Sequence, residues 1–195
     1  MAITVNGSAN TIGGLAVGGL PDGIVDTDML AAEAVSPAKI GNGGIIAVKG
    51  AVKTDQMLIS TIDTFTDIPD LSITHALANS SNKLLIQYNV SAGVRGGYTG
   101  MINLMSDTTA ILIGDADGSV VRCSNQMCGP YYDYGQLSYV QSYLYAPGDT
   151  SSHVYHLEVQ TAYSTNLYIN RNYTWSSINE YGAAASTMTL MEVVA

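Results

Sequence analysis

From about Gly44 onward, apolar and polar residues alternate with a period of two. In KLLIQYNVSA, Leu84, Ile86, Tyr88, Val90 and Ala92 share one face, while Lys83, Leu85, Gln87, Asn89 and Ser91 take the other. That is the pattern of a half-buried antiparallel strand. DLSITHAL repeats it with Leu71, Ile73, His75 and Leu77 against Ser72, Thr74 and Ala76. HVYHLEVQTAY groups Tyr155, Leu157, Val159 and Tyr163 opposite His156, Glu158 and Gln160. Noisier runs are GIIAVKGAVK, YTGMINLM, TAILIG, LSYVQSYLY, NLYIN and STMTLMEVV. Between the runs, DIPD, NSSN, GDADGS, APGDTSS and YGAAA supply the Gly, Pro, Asn and Asp that chain reversals require. About ten short strands at this spacing, with no helical period of useful length, predict an all-β sandwich or jelly roll over residues 44–195.

Some of these strands are apolar on both faces, notably TAILIG and MTLMEVV. In the latter, Met188 and Leu190 point one way and Met191 and Val193 the other. A two-layer sandwich buries one face of each sheet. The second apolar face therefore predicts a contact between subunits.

The first 43 residues follow a different pattern. MAITVNGSAN predicts one short strand, and TIGGLAVGGLPDG is Gly-rich and irregular. In VDTDMLAAEAVSPAKIGNGG the chain echoes itself at a spacing of ten, placing Val25 over Val35 and Leu30 over Ile40. Asp26 or Thr27 suits a helix N-cap, and Ser36-Pro37 a cap followed by proline at the first helical position. One or two turns fall far below the roughly 12–15 residues that an isolated helix needs. Three copies side by side would bury Val25, Leu30, Val35 and Ile40 around a shared axis, and Ala31, Ala32, Ala34 and Ala38 would let the chains approach. The alternative is a flexible linker with accidental periodicity, since two repeats are few. The expected organisation is a segment at 1–23, a neck at 24–43 and a head at 44–195.

Length and charge narrow the choice of partner. A chain of 195 residues accommodates one domain and an appendage. Only 12% of residues are charged, and the net charge of -9 comes from 16 acidic against 7 basic side chains with no basic cluster. Nucleic acid and anionic membranes both need concentrated positive charge and are poor partners. No apolar run approaches the roughly 20 residues of a membrane span. The opening residues lack the basic and apolar regions of a signal peptide, so a soluble protein not exported by the ordinary route is expected.

Candidate chemistry is sparse. Cys123 and Cys128 form a C-x4-C pair; zinc would need two further ligands, and His75, His153 and His156 lie far off without paired spacing. Two free thiols and one local disulfide both fit. Asp115 and Asp117 of GDADGS invite a calcium reading, but an EF-hand loop would want Gly and Glu where Val120 and Gln126 stand. An Asp-Gly turn is the simpler reading. His153 and His156, three apart on a strand, fall on opposite faces and cannot meet on one ion without a bulge. His75 lies on the apolar face, as a hydrogen-bonded core or interface histidine does. Sequons at Asn6, Asn79, Asn89 and Asn172 arise by chance in a chain this rich in Asn, Ser and Thr. No nucleophile triad, phosphate-cradling loop or defensible carboxylate pair is present in the pattern. The reading is therefore non-enzymatic, with no catalytic residue, metal or cofactor.

The aromatic residues are more informative. Of 13 tyrosines, 11 lie between Tyr131 and Tyr181, joined by the single Trp175, and Phe65 is the sole phenylalanine. A buried tyrosine must satisfy its hydroxyl, whereas Tyr and Trp suit interfaces that are part apolar and part wet. Tyr139, Tyr143 and Tyr155, on strands, read as packing between subunits. Tyr131, Tyr132, Tyr134 and Trp175, on loops, read as a platform for sugar rings, with subunit packing still open for them.

AITVNGSANTIGGLAVGGLPDGIVDTDMLAAEAVSPAKI, TDIPDLSITHALANSSNKLLIQYNVSAG, LIGDADGS, LYINRNYTW and YGAAASTMTLMEVVA together resemble a family of bacteriophage virion proteins, the fibre or spike proteins common among marine phages. The resemblance covers nearly the whole chain, and its most specific pieces are SNKLLI, GDADGS, YINR and STMTLMEV. It implies a homotrimer on the virion surface, synthesised in the host cytoplasm. Residues 1–23 would attach to other virion proteins of capsid or tail. The head would have the jelly-roll fold of the C1q and tumour-necrosis-factor type and contact the host surface, a cell-surface glycan being the implied ligand. The alternative is a capsid decoration protein or head fibre with a mainly structural role. Cys123, Cys128 and the Tyr-dense GPYYDYGQLSYVQSYLY depart from the commoner pattern, which leaves the ligand open.

Overall fold

The computed structural model describes residues 4–6, 11–13, 39–130, 133, 135–162, 166–174 and 182–195. Among these residues the regular elements are antiparallel strands: β1 (Thr4–Asn6), β2 (Thr11–Gly13), β3 (Ile45–Lys53), β4 (Met57–Ile59), β5 (Thr66–Ala76), β6 (Lys83–Val94), β7 (Thr99–Ser106), β8 (Thr109–Ile111), β9 (Asn125–Cys128), β10 (Leu137–Tyr145), β11 (Ser152–Thr161), β12 (Leu167–Ile169) and β13 (Ser186–Val193). The protein is all-β, as the period-two pattern predicts. No helix among the described residues is long and apolar enough to cross a membrane.

The chain divides into two compact units, Met1–Ile40 and Gly41–Ala195. In the first, β1 pairs with β2 with Val5 opposite Ile12. A two-stranded ribbon thus stands where one strand is expected. Val25, Leu30 and Val35 lie outside the described residues, and Ile40 is half-buried.

In the second unit the pairings are nested. β3 pairs with β13, β5 with β11, β6 with β10, and β7 with both β8 and β9. Two sheets result. In one, β6 is central: Asn89 is flanked by Thr187 and Val140, and Ala92 by Ile169 and Leu137. β13 and β12 therefore run end to end along one edge of β6, with β10 along the other. The second sheet has the order β5-β11-β7, beyond which β8 and β9 line the far edge of β7.

The inward faces of the two sheets share one core. Leu84, Ile86, Tyr88, Val90 and Ala92 of β6, with Met188 and Leu190 of β13, meet Leu71, Ile73, Ile102, Leu104, Tyr155, Leu157 and Val159 of the opposite sheet. These are the alternating positions picked out in the sequence, and each large aliphatic buried there contributes roughly 1.5–3 kcal/mol. Polar residues close the joints. Asn170, at φ 63, donates Nδ2 to the carbonyls of Lys53 and Asp55 and accepts from Ser186 Oγ at 2.6 Å. That cluster fills the gap where β12 gives way to β13.

One turn assignment and the extent of one strand are corrected by the structure. DIPD does not connect strands; it lies inside β5 as an enlarged bulge. Ser72 faces His156 and Asp67 faces Glu158, so Ile68–Leu71 on β5 stand against the single Leu157 on β11. Pro69 has no N–H to give to the ladder and Asp70 adopts φ 69, which together push the chain outward while Ile68 and Leu71 both stay buried. TAILIG contributes only Thr109–Ile111 as strand, because Leu112 turns at φ 56. GDADGS does form the expected turn, with Val120 N donating to the Asp117 carbonyl at 3.0 Å and Gly118 at φ 52.

Candidate functional site

The alternation that fills the core also fixes what the β3-β13-β6-β10 sheet presents outward. Outward positions are Val48, Gly50 and Val52 on β3, Thr187, Thr189 and Met191 on β13, Leu85, Gln87 and Asn89 on β6, and Val140, Ser142 and Leu144 on β10. Lys83, at the start of β6, is the one charged residue among the outward positions paired in these four strands, on a chain of net charge -9. Val48 is 63% exposed, Val52 57%, Val140 61% and Leu144 49%. Register places Val48, Met191, Leu85 and Leu144 in one apolar row across all four strands, and such a row marks an interaction surface where apolar residues scattered singly do not.

The centre of this face is a shallow depression of about 240 Å³ lined by Gln87, Asn89, Val140, Thr187 and Thr189. Gln87 Nε2 donates to Ser142 Oγ at 3.3 Å across β6 and β10. Asn89 Oδ1 is shielded from solvent and has no hydrogen-bond partner among the described residues. A shielded amide oxygen without a donor is costly, so the site is chemically incomplete in a single chain.

Tyr139 and Tyr143, expected at a subunit contact, occupy the other face of β10, and Tyr155 lies on β11 of the opposite sheet with its ring in the core, which is a correction to the sequence reading. Tyr139 lies opposite Val90 and Tyr143 opposite Ile86, both core positions, and each ring packs against the core. Tyr139 donates its hydroxyl to the Cys128 carbonyl at 2.8 Å. Tyr155 is 1% exposed within the chain itself, which leaves no surface for a partner. Its burial, followed by the nearby Tyr145, pushes the hydroxyl up to about 12. The Tyr143, Tyr145 and Tyr155 rings form a ladder with centroids 5.9 and 6.2 Å apart. Their neighbours Val140 and Leu144 carry the outward role, and the signal for them was already present in LSYVQSYLY, where both faces are apolar.

Tyr131, Tyr132, Tyr134 and Trp175 lie outside the described residues. Cys123 and Cys128 are free thiols, Cys123 half-buried and Cys128 exposed at the end of β9. Burial pushes the Cys123 thiol above its ordinary value.

The histidines are all engaged. His75 is buried as expected, with Nε2 2.9 Å from Glu192 Oε2. His153 Nδ1 lies 2.6 Å from Asp107 Oδ2 and its Nε2 3.0 Å from Asp149 Oδ1. Those two carboxylates, Asp107 first, raise its pKa above the usual histidine value. Asp107 forms the β7–β8 turn at φ 50, and its Oδ1 accepts from Val154 N at 2.8 Å. His156 points to the opposite side of β11, with Nδ1 2.6 Å from Asp67 Oδ1.

No protein-family model matches the chain, and no curated protein matches it.

Proposed function

We propose that this chain is a non-enzymatic virion appendage, a homotrimeric phage fibre or spike with a jelly-roll head. The observation that carries the reading is the outward face of the β3-β13-β6-β10 sheet, free of acidic residues and with exposed Val48, Val52, Val140 and Leu144. Copies of an acidic chain repel one another over most of their surface, and a face without acidic residues is where they can meet at the least Coulombic cost. A donor from a neighbouring copy would also complete Asn89 Oδ1. The trimer itself is inferred from the resemblance to phage fibre proteins.

The nested pairings support a jelly roll within the all-β class. First strand with last, second with penultimate, and so inward, is the pattern of one long hairpin rolled into a two-sheet sandwich. Tyr131, Tyr132, Tyr134 and Trp175 remain the proposed host-contacting aromatics, a glycan being the proposed ligand. Residues 1–23 remain the proposed attachment to other virion proteins, and Val25, Leu30, Val35 and Ile40 the proposed neck contacts.

Light scattering of the intact chain at micromolar concentration should return three chain masses. A monomer at that concentration would overturn the reading. Trp175→Ala should weaken adsorption to host cells without changing the mass; unchanged adsorption would remove Trp175 from the contact. Gold-labelled antibody on whole particles should then place the chain on a fibre, and labelling spread evenly over the capsid would favour a decoration protein.

A further inference from the structure

The enlarged bulge in β5 assembles a group of side chains unrelated to the apolar face. One ligand atom from each of Asp67, His156 and Glu158 lies within 4.8 Å of the others. Asp67 and Glu158 are direct cross-strand partners, an arrangement of like charges that ordinarily destabilises a sheet. Glu158 responds accordingly: burial, then the charge of Asp67, pushes its carboxyl above the usual range, with His156 acting in the opposite sense. The only ion pair of either carboxylate among the described residues is that between Asp67 and His156.

The hydrogen-bond chemistry of His156 sharpens this. Its Nε2 lies 2.8 Å from the main-chain carbonyl of Asp107, and a carbonyl can only accept, so Nε2 carries a proton. Nδ1 is then the nitrogen turned to Asp67 Oδ1 at 2.6 Å, a contact that needs a cation, a proton or a metal ion, between the two atoms. A proton on Nδ1 would satisfy Asp67 alone and leave Glu158 uncompensated; a divalent ion neutralises both carboxylates. A ring nitrogen turned to its ion by a backbone carbonyl on the other nitrogen is how metal-bound histidines are oriented.

We propose that Asp67, Glu158 and Nδ1 of His156 form a binding site for a divalent transition-metal ion of the zinc class. Imidazole with carboxylates suits zinc, with ligand distances of about 2.0–2.2 Å, which in tetrahedral geometry places donors roughly 3.4 Å apart. Side-chain rotations that open the 2.6 Å contact between Asp67 and His156 and draw Glu158 in would bring the three donors to that spacing. The site borders an open pocket of about 290 Å³ lined by Asp67, Pro69, Asp70, Ser72 and Val154, so the fourth position faces solvent. His153 is not part of it, since it points to the other face of β11. The bulge that the sequence reading required lies on the neighbouring strand, and it brings His156 to carboxylates instead of to His153.

The test uses the full chain, stripped of metal, titrated with zinc by calorimetry. One ion per chain is expected, with affinity falling at least tenfold in Asp67→Asn and in Glu158→Gln and lost in His156→Gln. Circular dichroism should show each variant folded as the parent. Nitrogen-15 spectra of the imidazole should move at Nδ1 on adding zinc while Nε2 stays protonated. Zinc binding left intact in folded His156→Gln would overturn the proposal by locating the ion elsewhere, for instance at Cys123. Absence of binding, with His156 doubly protonated at neutral pH, would overturn it in favour of a proton.

Discussion

Glu192 and His75 form a buried pair that joins the two sheets: Oε2 of the one lies 2.9 Å from Nε2 of the other, with the side chains 2% and 7% exposed. The second carboxylate oxygen accepts from Asn82 Nδ2 at 2.6 Å and from Ala78 N at 2.8 Å. Burial pushes this carboxyl upward, but the hydrogen bonds from Asn82, Ala78 and His75 outweigh it and hold the pKa below its usual 4.5. Because the folded value is the lower one, the contribution is complete above the unfolded value and is lost as pH falls through the folded one. Glu192→Ala should therefore cost on the order of 3 kcal/mol at neutral pH, through stranded donors at Asn82 and Ala78. Urea unfolding at pH 7 and pH 3 checks both points, since the gap between parent and variant should shrink at the lower pH.

The outward strip of β10 makes a prediction about assembly. Val140→Asp with Leu144→Asp should yield monomers by light scattering while circular dichroism is unchanged, because both side chains are already largely solvent-exposed in the single chain. Tyr139→Phe should do the reverse, keeping the assembly and losing about 1 kcal/mol of stability with the hydroxyl bond to Cys128.

His153 lies on the other side of β11 from His156, with Asp107 in contact with both. Its raised pKa means that its contribution to stability is present below the unfolded value of 6.5 and fades as pH rises through the folded one. Asp107 and Asp149 are both held below 3.8, by bonds from the Val154 and Ser151 amides first and from His153 next. The contact is thus fullest between about pH 4 and 6.5. Proton NMR should place the His153 midpoint above 6.5, and Asp149→Asn should bring it down; an unmoved midpoint would dissociate Asp149 from the effect.

Gly93 is a packing constraint. A Cβ there would lie 2.5 Å from the main-chain carbon of Asn172 and the nitrogen of Tyr173, which cannot yield as a side chain would. Gly93→Ala should cost about 2–3 kcal/mol, whereas Gly114→Ala, with nothing within 4 Å, should cost little. Thermal melts of the pair read the difference directly.

Much of the core was visible in the sequence because one-sided strands announce their inward face. Leu71, Ile73 and His75, or Leu84 to Ala92, alternate with polar residues, so parity alone orients them. LSYVQSYLY does not, since tyrosine and aliphatic residues compete for the inside; the decision rests on register against β6, which no local pattern carries. The Asp67–His156–Glu158 group was hidden for a related reason. Asp67 is remote in sequence from His156 and Glu158, and it meets them only because a bulge at Pro69–Asp70 realigns β5 against β11. DIPD looks like a turn either way, and whether such a turn ends a strand or interrupts it depends on the partner strand.

β13 occupies the interior of its sheet, between β3 and β6, although it follows every other described strand in chain order. The neighbours it joins are residues 45–53 and 83–94, synthesised long before it. Until Ser186–Val193 emerges from the ribosome, β3 has no partner and one edge of β6 stands open, with Leu84 and Ile86 lacking the cover of Met188 and Leu190. Closure of this sheet therefore waits for residues 186–193, and pairing across such a span closes slowly. A nascent chain with an open edge and an apolar outer face is prone to premature association. The order of synthesis thus makes delayed closure of a central strand the step at which misassembly competes with productive folding.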